Sequence, residues 1–166
     1  MRDDLGAAVG GPRGHQGLDR LIDYEHAGYI HALNDAVCLY VPGPGWMSVG
    51  DPAAMGTADA YRLALAQGVP QAEDDRRYGF ALASACMSFA LVRLERLRSV
   101  DARPPGDDSR HQLIATLESA ASTASAHRAL PALAGWARHL AGLLRRRWPD
   151  ADLAPGTFPP YTPRRR

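Results

Sequence analysis

The chain has 166 residues, 46% apolar and 22% charged, with a formal net charge of +1. That length suits one domain with a real core, or about half of a larger enzyme, and 16 Gly with 13 Pro fall below the level of a disordered chain. Near-neutral charge excludes the overall bias of a nucleic-acid-binding protein, and the longest apolar run, over 80–92, is too short for a membrane span of about 20 residues.

The first residues are rich in turn formers, with Gly10-Gly11-Pro12 and then Gly14 and Gly17, and read as a flexible arm over 1–17. Met1-Arg2-Asp3-Asp4 is charged and no apolar core follows it, so no signal peptide is expected and the location should be cytoplasmic. Leu18, Leu21 and Ile22 make a short apolar strand ending on Asp23, and a turn containing Gly28 leads into a helix over 30–40. Its stripe is Ala32, Leu33, Ala36, Val37 and Tyr40. Pro42 and Pro44 end it, and Trp46 and Met47 anchor the loop that follows. Asp51-Pro52 is a strong helix start, with Asp as N-cap and Pro at the first helical position. Met55, Ala58, Tyr61 and Leu65 then share one face.

The longest helix is expected over 71–99, about 40 Å at 1.5 Å per residue, with Glu73, Asp74 and Asp75 in a first turn favoured by the dipole. From Tyr78 to Leu94 it is apolar nearly all round, which predicts a central helix covered on every side. Ser109 with Gln112 forms a capping-box pattern before a helix whose stripe is Leu113, Ile114, Leu117, Ala121 and Ala124. Ser119, Ser122 and Ser125 read as a small-residue face for close packing. A last helix starts at Pro131, puts Leu133, Trp136, Leu140, Leu143 and Leu144 in register, and carries Arg138, His139, Arg145 and Arg146 on its polar face. Cys38 and Cys86, without a Cys-x-x-Cys spacing, read as buried free thiols in a reducing compartment. The expected organisation is an arm over 1–17, a helical lobe over 18–150 and a Pro- and Arg-rich tail over 151–166. In fold class this is mainly α, a short β arm followed by about five helices.

The segment Leu21-Ile22-Asp23-Tyr24-Glu25, followed by Gly28 and then Asp35 in the next helix, resembles the Ile-Asp-Phe-Glu segment of the aminoglycoside phosphotransferase family, which has a protein-kinase-like fold. There it is the counterpart of the kinase Asp-Phe-Gly motif, whose Asp holds Mg²⁺ on the nucleotide phosphates. The resemblance implies that Asp23 is a metal ligand and that Asp35 braces the loop. A short strand and then five helices also resemble the C-terminal helical lobe of these kinase-like phosphotransferases, over nearly everything after Gly17. Arg147-Trp148-Pro149 and Pro159-Pro160-Tyr161 are similar to C-terminal motifs of a bacterial branch of the family.

The family's other parts are not legible. All 19 basic residues are Arg, so no lysine pairs with the nucleotide phosphates, and His15-Gln16-Gly17 lacks the acid of the family's catalytic loop. The resemblance therefore implies a truncated or degenerate small-molecule kinase domain, inactive alone, using Mg²⁺ with ATP or GTP only if the missing lobe is supplied. Its partner would be an N-lobe polypeptide, or a second copy of the chain, docked on an exposed apolar face with Trp46 at the rim.

Other chemistry is weaker. His26 and His31 near Asp23 and Glu25 do not have the His-Glu-x-x-His spacing of a zinc site. Glu73, Asp74 and Asp75 read as helix-start charges before they read as a pocket for an amine-bearing substrate. The arginines at 145–147 and 164–166 lack aromatic interleaving and a phosphate loop, so neither nucleic acid nor membrane is an expected partner. The alternative function, from another class, is a stand-alone helical protein-interaction module.

Overall fold

The computed structural model describes residues 31–42, 51–105 and 107–151. The arm over 1–17, the strand over 18–22 with Asp23, the loop around Trp46 and the tail after Ala151 lie outside the described residues. Among the described residues the chain is mainly α and has no strand. A 3-10 turn, Ala32–Asn34, leads to α1 (Val37–Tyr40). Then come α2 (Thr57–Gly68), a turn at Pro70–Glu73 and α3 (Asp75–Arg93), which passes through Leu94–Arg96 into α4 (Leu97–Asp101). Helices α5 (Asp108–Ala126) and α6 (Pro131–Arg147) form a hairpin, closed by a turn at Pro149–Ala151.

Several expected helices are divided or start elsewhere. Over 30–40, His31 Nδ1 accepts the Leu33 N–H at 3.2 Å and starts a 3-10 turn; Asn34-Asp35, weak helix formers that favour turns, separate it from α1. Leu33, Ala36 and Val37 are still buried. Asp51 does cap, its Oδ1 accepting the Ala53 and Ala54 N–H groups at 3.0 and 3.1 Å. The chain then turns at Gly56, with φ of +71°, so α2 begins only at Thr57 and Met55 is left 67% exposed.

The helix expected over 71–99 is likewise broken, into a 3-10 turn, α3 and α4. Asp74 is the N-cap of α3, accepting the Arg77 N–H at 2.8 Å. Nor is α3 covered on every side, because Phe80, Leu91 and Val92 are exposed. At the start of α5 the cap is Asp107, accepting the Ser109 N–H at 2.9 Å, rather than Ser109. A carboxylate at a helix start gains from the dipole as well as from the hydrogen bond, and outcompetes a hydroxyl two residues on.

The central element is α5, which packs against α3 and against α6. Its predicted stripe, Leu113, Ile114, Leu117, Ala121 and Ala124, is buried throughout. Leu82 and Met87 of α3, with Ile114 and Leu117, are among the largest fully buried side chains; each contributes roughly 1.5–3 kcal/mol relative to exposure. Where α5 and α6 pack together, buried alanines recur on both helices: Ala120, Ala121 and Ala124 on α5, and Ala134, Ala137 and Ala141 on α6, none more than 1% exposed. The serines expected to form a close-packing face do not, since Ser122 and Ser125 are exposed, and Ser125 Oγ accepts from Arg138 instead.

Arginine–carboxylate pairs fasten this hairpin. Arg145 reaches Glu118 through both nitrogens. Arg147 pairs with Asp101 at 2.7 and 2.6 Å, and Trp148 Nε1 donates to the same carboxylate at 3.0 Å. Arg110, only 8% exposed, donates to both oxygens of Asp150 at 3.0 and 2.9 Å and to the Arg103 carbonyl at 2.6 Å. Its guanidinium lies 5.7 Å from the Trp148 ring centroid.

Candidate functional site

The outward side of α6 is the first candidate. Pro131 begins the helix as expected, after Leu130 in the left-handed region. Of the five residues in the predicted register, however, only Leu144 is buried; Leu133, Trp136 and Leu143 are exposed and Leu140 is half-buried. Ala134, Ala137 and Ala141 occupy the side facing α5. Both rows repeat at alternating spacings of three and four, so periodicity admits either. The alanines go inward where α6 packs on α5, and small side chains there let two helix axes come close.

Beside the exposed row, α6 carries His139 and Arg146, neither in an ion pair among the described residues. A Cβ on Gly135 would meet nothing within 4 Å, and one on Gly142 only the Arg146 guanidinium at 3.9 Å. Gly inside a helix costs about 1 kcal/mol relative to Ala. Internal packing does not require either glycine.

A second candidate lies at the other end of the hairpin. The start of α3 and the turn over 127–130 enclose a cleft of about 610 Å³ lined by Asp74, Arg76, Arg77, Phe80, His127 and Arg128, among others. Arg128 and Leu130 have φ of 52° and 47°, a region that costs a residue with a Cβ about 1–2 kcal/mol. The His127 ring sits against Gly79 of α3: a Cβ there would lie 2.8 Å from Nδ1 and 2.9 Å from the His127 Cβ. Only glycine admits that approach. Burial first, and the Arg62 charge second, hold His127 below its ordinary pKa. The Arg77 N–H bond does the most to hold the Asp74 carboxyl below its usual value.

A third cleft, of about 380 Å³, lies between α2 and α3, lined chiefly by Leu33, Leu65, Val69, Ala72 and Ala81, with His31, Arg77 and Tyr78 also on its wall. Helix α2 buries none of its residues. Polar anchors hold it: Tyr61 donates to the Ala32 carbonyl at 2.9 Å, and Arg62 donates to the Ala72 and Glu73 carbonyls at 2.7 and 2.8 Å. The same guanidinium meets Asp75 at 2.7 Å and lies 4.7 Å from the Tyr78 ring centroid.

Asp23, the predicted metal ligand, lies outside the described residues, as does His26. Asp35 ends the Ala32–Asn34 turn, its backbone carbonyl accepting from Cys38 Sγ at 3.2 Å. Cys38, expected to be buried, is exposed because the short α1 points it outward; Cys86 is buried, and burial pushes its thiol up to about 12. The described residues contain no group of three or more His, Cys, Asp or Glu that could hold a metal ion. None of their helices is long and apolar enough to cross a membrane. The arginines at 145–147, read as dipole charges, prove in two of three cases to be partners of named carboxylates. Sequence reasoning missed the 127–130 turn altogether. The short His127-Arg128-Ala129-Leu130 connection ahead of Pro131 was the available signal, since a four-residue link between antiparallel helices forces unusual backbone angles. Searches of protein families, of curated proteins and of solved structures find no match to this chain.

Proposed function

We propose that the chain is a helical protein-interaction module, and that α6 receives an amphipathic helix of a partner polypeptide with acidic flanks. The observation that carries this reading is the exposed row Leu133, Trp136 and Leu143, continued by half-buried Leu140, at the three-four-three spacing of a coiled-coil seam. Gly135 and Gly142 leave room for a second helix to come close. Arg146, in no ion pair among the described residues, favours a carboxylate opposite it and disfavours a second α6, whose guanidinium would repel it. The test is fluorescence anisotropy with a labelled synthetic helix bearing Leu on one face and Glu on its flanks, against a Lys-flanked control. Binding of the Glu peptide alone, abolished by Leu140→Asp, is expected. Equal binding of both peptides, or no effect of Leu140→Asp, defeats the reading.

A second reading is a phosphotransferase-like lobe in which Asp23 holds Mg²⁺ on ATP or GTP once a body carrying the rest of the site is supplied. What supports it is the Leu21-to-Glu25 segment and its helical continuation. A bound nucleotide at a hundredfold over its dissociation constant adds about 2.7 kcal/mol, so Mg²⁺ with either nucleotide should raise the melting temperature. Asp23→Ala should abolish that rise; a rise that survives the substitution rules Asp23 out as the ligand.

A further inference from the structure

We propose that the cleft between the start of α3 and the 127–130 turn binds a phosphate-bearing small molecule, with Arg76, Arg77 and Arg128 on the phosphate and Phe80 beneath the organic part. The cleft's volume of about 610 Å³ lies in the range of small-molecule sites. Three arginines and one aspartate line its wall, and that aspartate, Asp74, is engaged in capping the Arg77 N–H. None of the three arginines is in an ion pair among the described residues.

The charge surplus selects the ligand class. A carboxylate brings one charge and two oxygens, whereas a terminal phosphate brings nearly two charges and three acceptor oxygens, to which arginine forks are matched. Arg128 reaches the cleft from the short link between α5 and α6, where its left-handed backbone, set by the tight connection, is one that glycine would adopt without strain. Phe80 is 55% exposed on the same wall, an apolar platform of the kind on which flat bases stack.

Free pyrophosphate and a nucleotide present the same phosphate chemistry, so both serve as probes. Isothermal titration of the full chain with pyrophosphate, and separately with AMP, at low salt and without Mg²⁺, should show saturable binding that weakens as salt is added. Arg128→Gly should weaken both by about tenfold or more, the loss of one charge-assisted pair. The glycine suits the local φ, so the variant should melt no lower than the parent. Arg128→Lys should keep part of the affinity. Phe80→Ala should weaken AMP and spare pyrophosphate if the natural ligand is a nucleotide, and spare both if it is a free phosphate. Asp23→Ala and Leu140→Asp should change neither titration, which separates this site from both proposed functions. No saturable binding of either probe at millimolar concentration, or affinity unchanged in an Arg77→Gln, Arg128→Gly double variant, overturns the proposal.

Discussion

Helices α2 and α6 each contain four alanines, yet α6 buries three of them in a seam with α5, and α2 buries no residue at all. The difference lies in spacing and in neighbours. Ala134, Ala137 and Ala141 recur at three and four and line up along one side of a helix that packs on α5. Ala58, Ala60, Ala64 and Ala66 recur at two and four, which places them on two sides of a helix. Alanine thus supplies helix propensity in both, and a seam in one. What holds α2 is the partial packing of Tyr61, Leu65 and Ala66 on the core, with a tyrosine hydroxyl and one arginine; what holds α6 is burial, tightened by ion pairs.

The sharpest way to break this comparison is to remove one arginine from each region. Arg110 is nine-tenths buried and donates through Nη1 to both oxygens of Asp150, so Arg110→Ala should cost about 1.5–3 kcal/mol by removing charge-assisted hydrogen bonds from a buried side chain. Arg62→Ala removes a pair whose Asp75 side chain is 91% exposed, and less than about 1 kcal/mol of ion-pair energy goes with it. Urea unfolding of the two variants measures the contrast. Comparable losses would mean that α2 is held as firmly as the hairpin.

Overpacking comes next. Ala137→Leu should cost about 1–3 kcal/mol because the seam has no room for the added carbons, whereas Ala64→Leu, on an exposed face, should fall within about 0.5 kcal/mol of the parent. A smaller effect is expected of Tyr61→Phe, which deletes the hydroxyl bond to Ala32 and about 0.5–1.5 kcal/mol with it. Hydrogen exchange should localise that loss, with α2 amides exchanging faster and those of α5 and α6 unchanged.

The mildest test uses acid. Arg147, then Trp148, holds the Asp101 carboxyl down to about 2, below the roughly 3.9 of an unfolded aspartate. A depressed carboxylate contributes stability that is complete above its unfolded value and is lost as pH falls through its folded value. The hairpin should therefore weaken between about pH 4 and pH 2, and Asp101→Asn should flatten that slope in circular-dichroism melts taken across the range.

Legibility in the sequence followed range. The α5 stripe and the Pro131 start of α6 depend on residues within a turn or two of one another, and both stand as expected. The caps at Asp74 and Asp107 came out four and two residues from the expected boundaries, because several acceptors near a helix start compete for the same N–H groups. The continuous helix over 71–99 failed at its start, in the turn at Pro70–Glu73, and again at Leu94–Arg96, where apolar periodicity runs on through a 3-10 turn that it does not record. In the candidate sites the individual residues were visible, Trp136 and the arginines among them, but their neighbours were not. His127 meets Gly79 across 48 positions of chain, and no local pattern carries such a pairing.

By itself, then, the sequence determined that this is a mainly α chain, where α6 begins and which side of α5 is apolar, since propensity, proline geometry and periodicity act over a few residues. Only the tertiary structure decided that α5 rather than α3 is central, that three alanines and Leu144 of α6 are buried while Leu133, Trp136 and Leu143 are exposed, and that Arg76, Arg77 and Arg128 share one cleft. Each of these depends on the shape and charge that a distant segment presents. Two equally periodic faces of a helix are alike until a neighbour chooses between them.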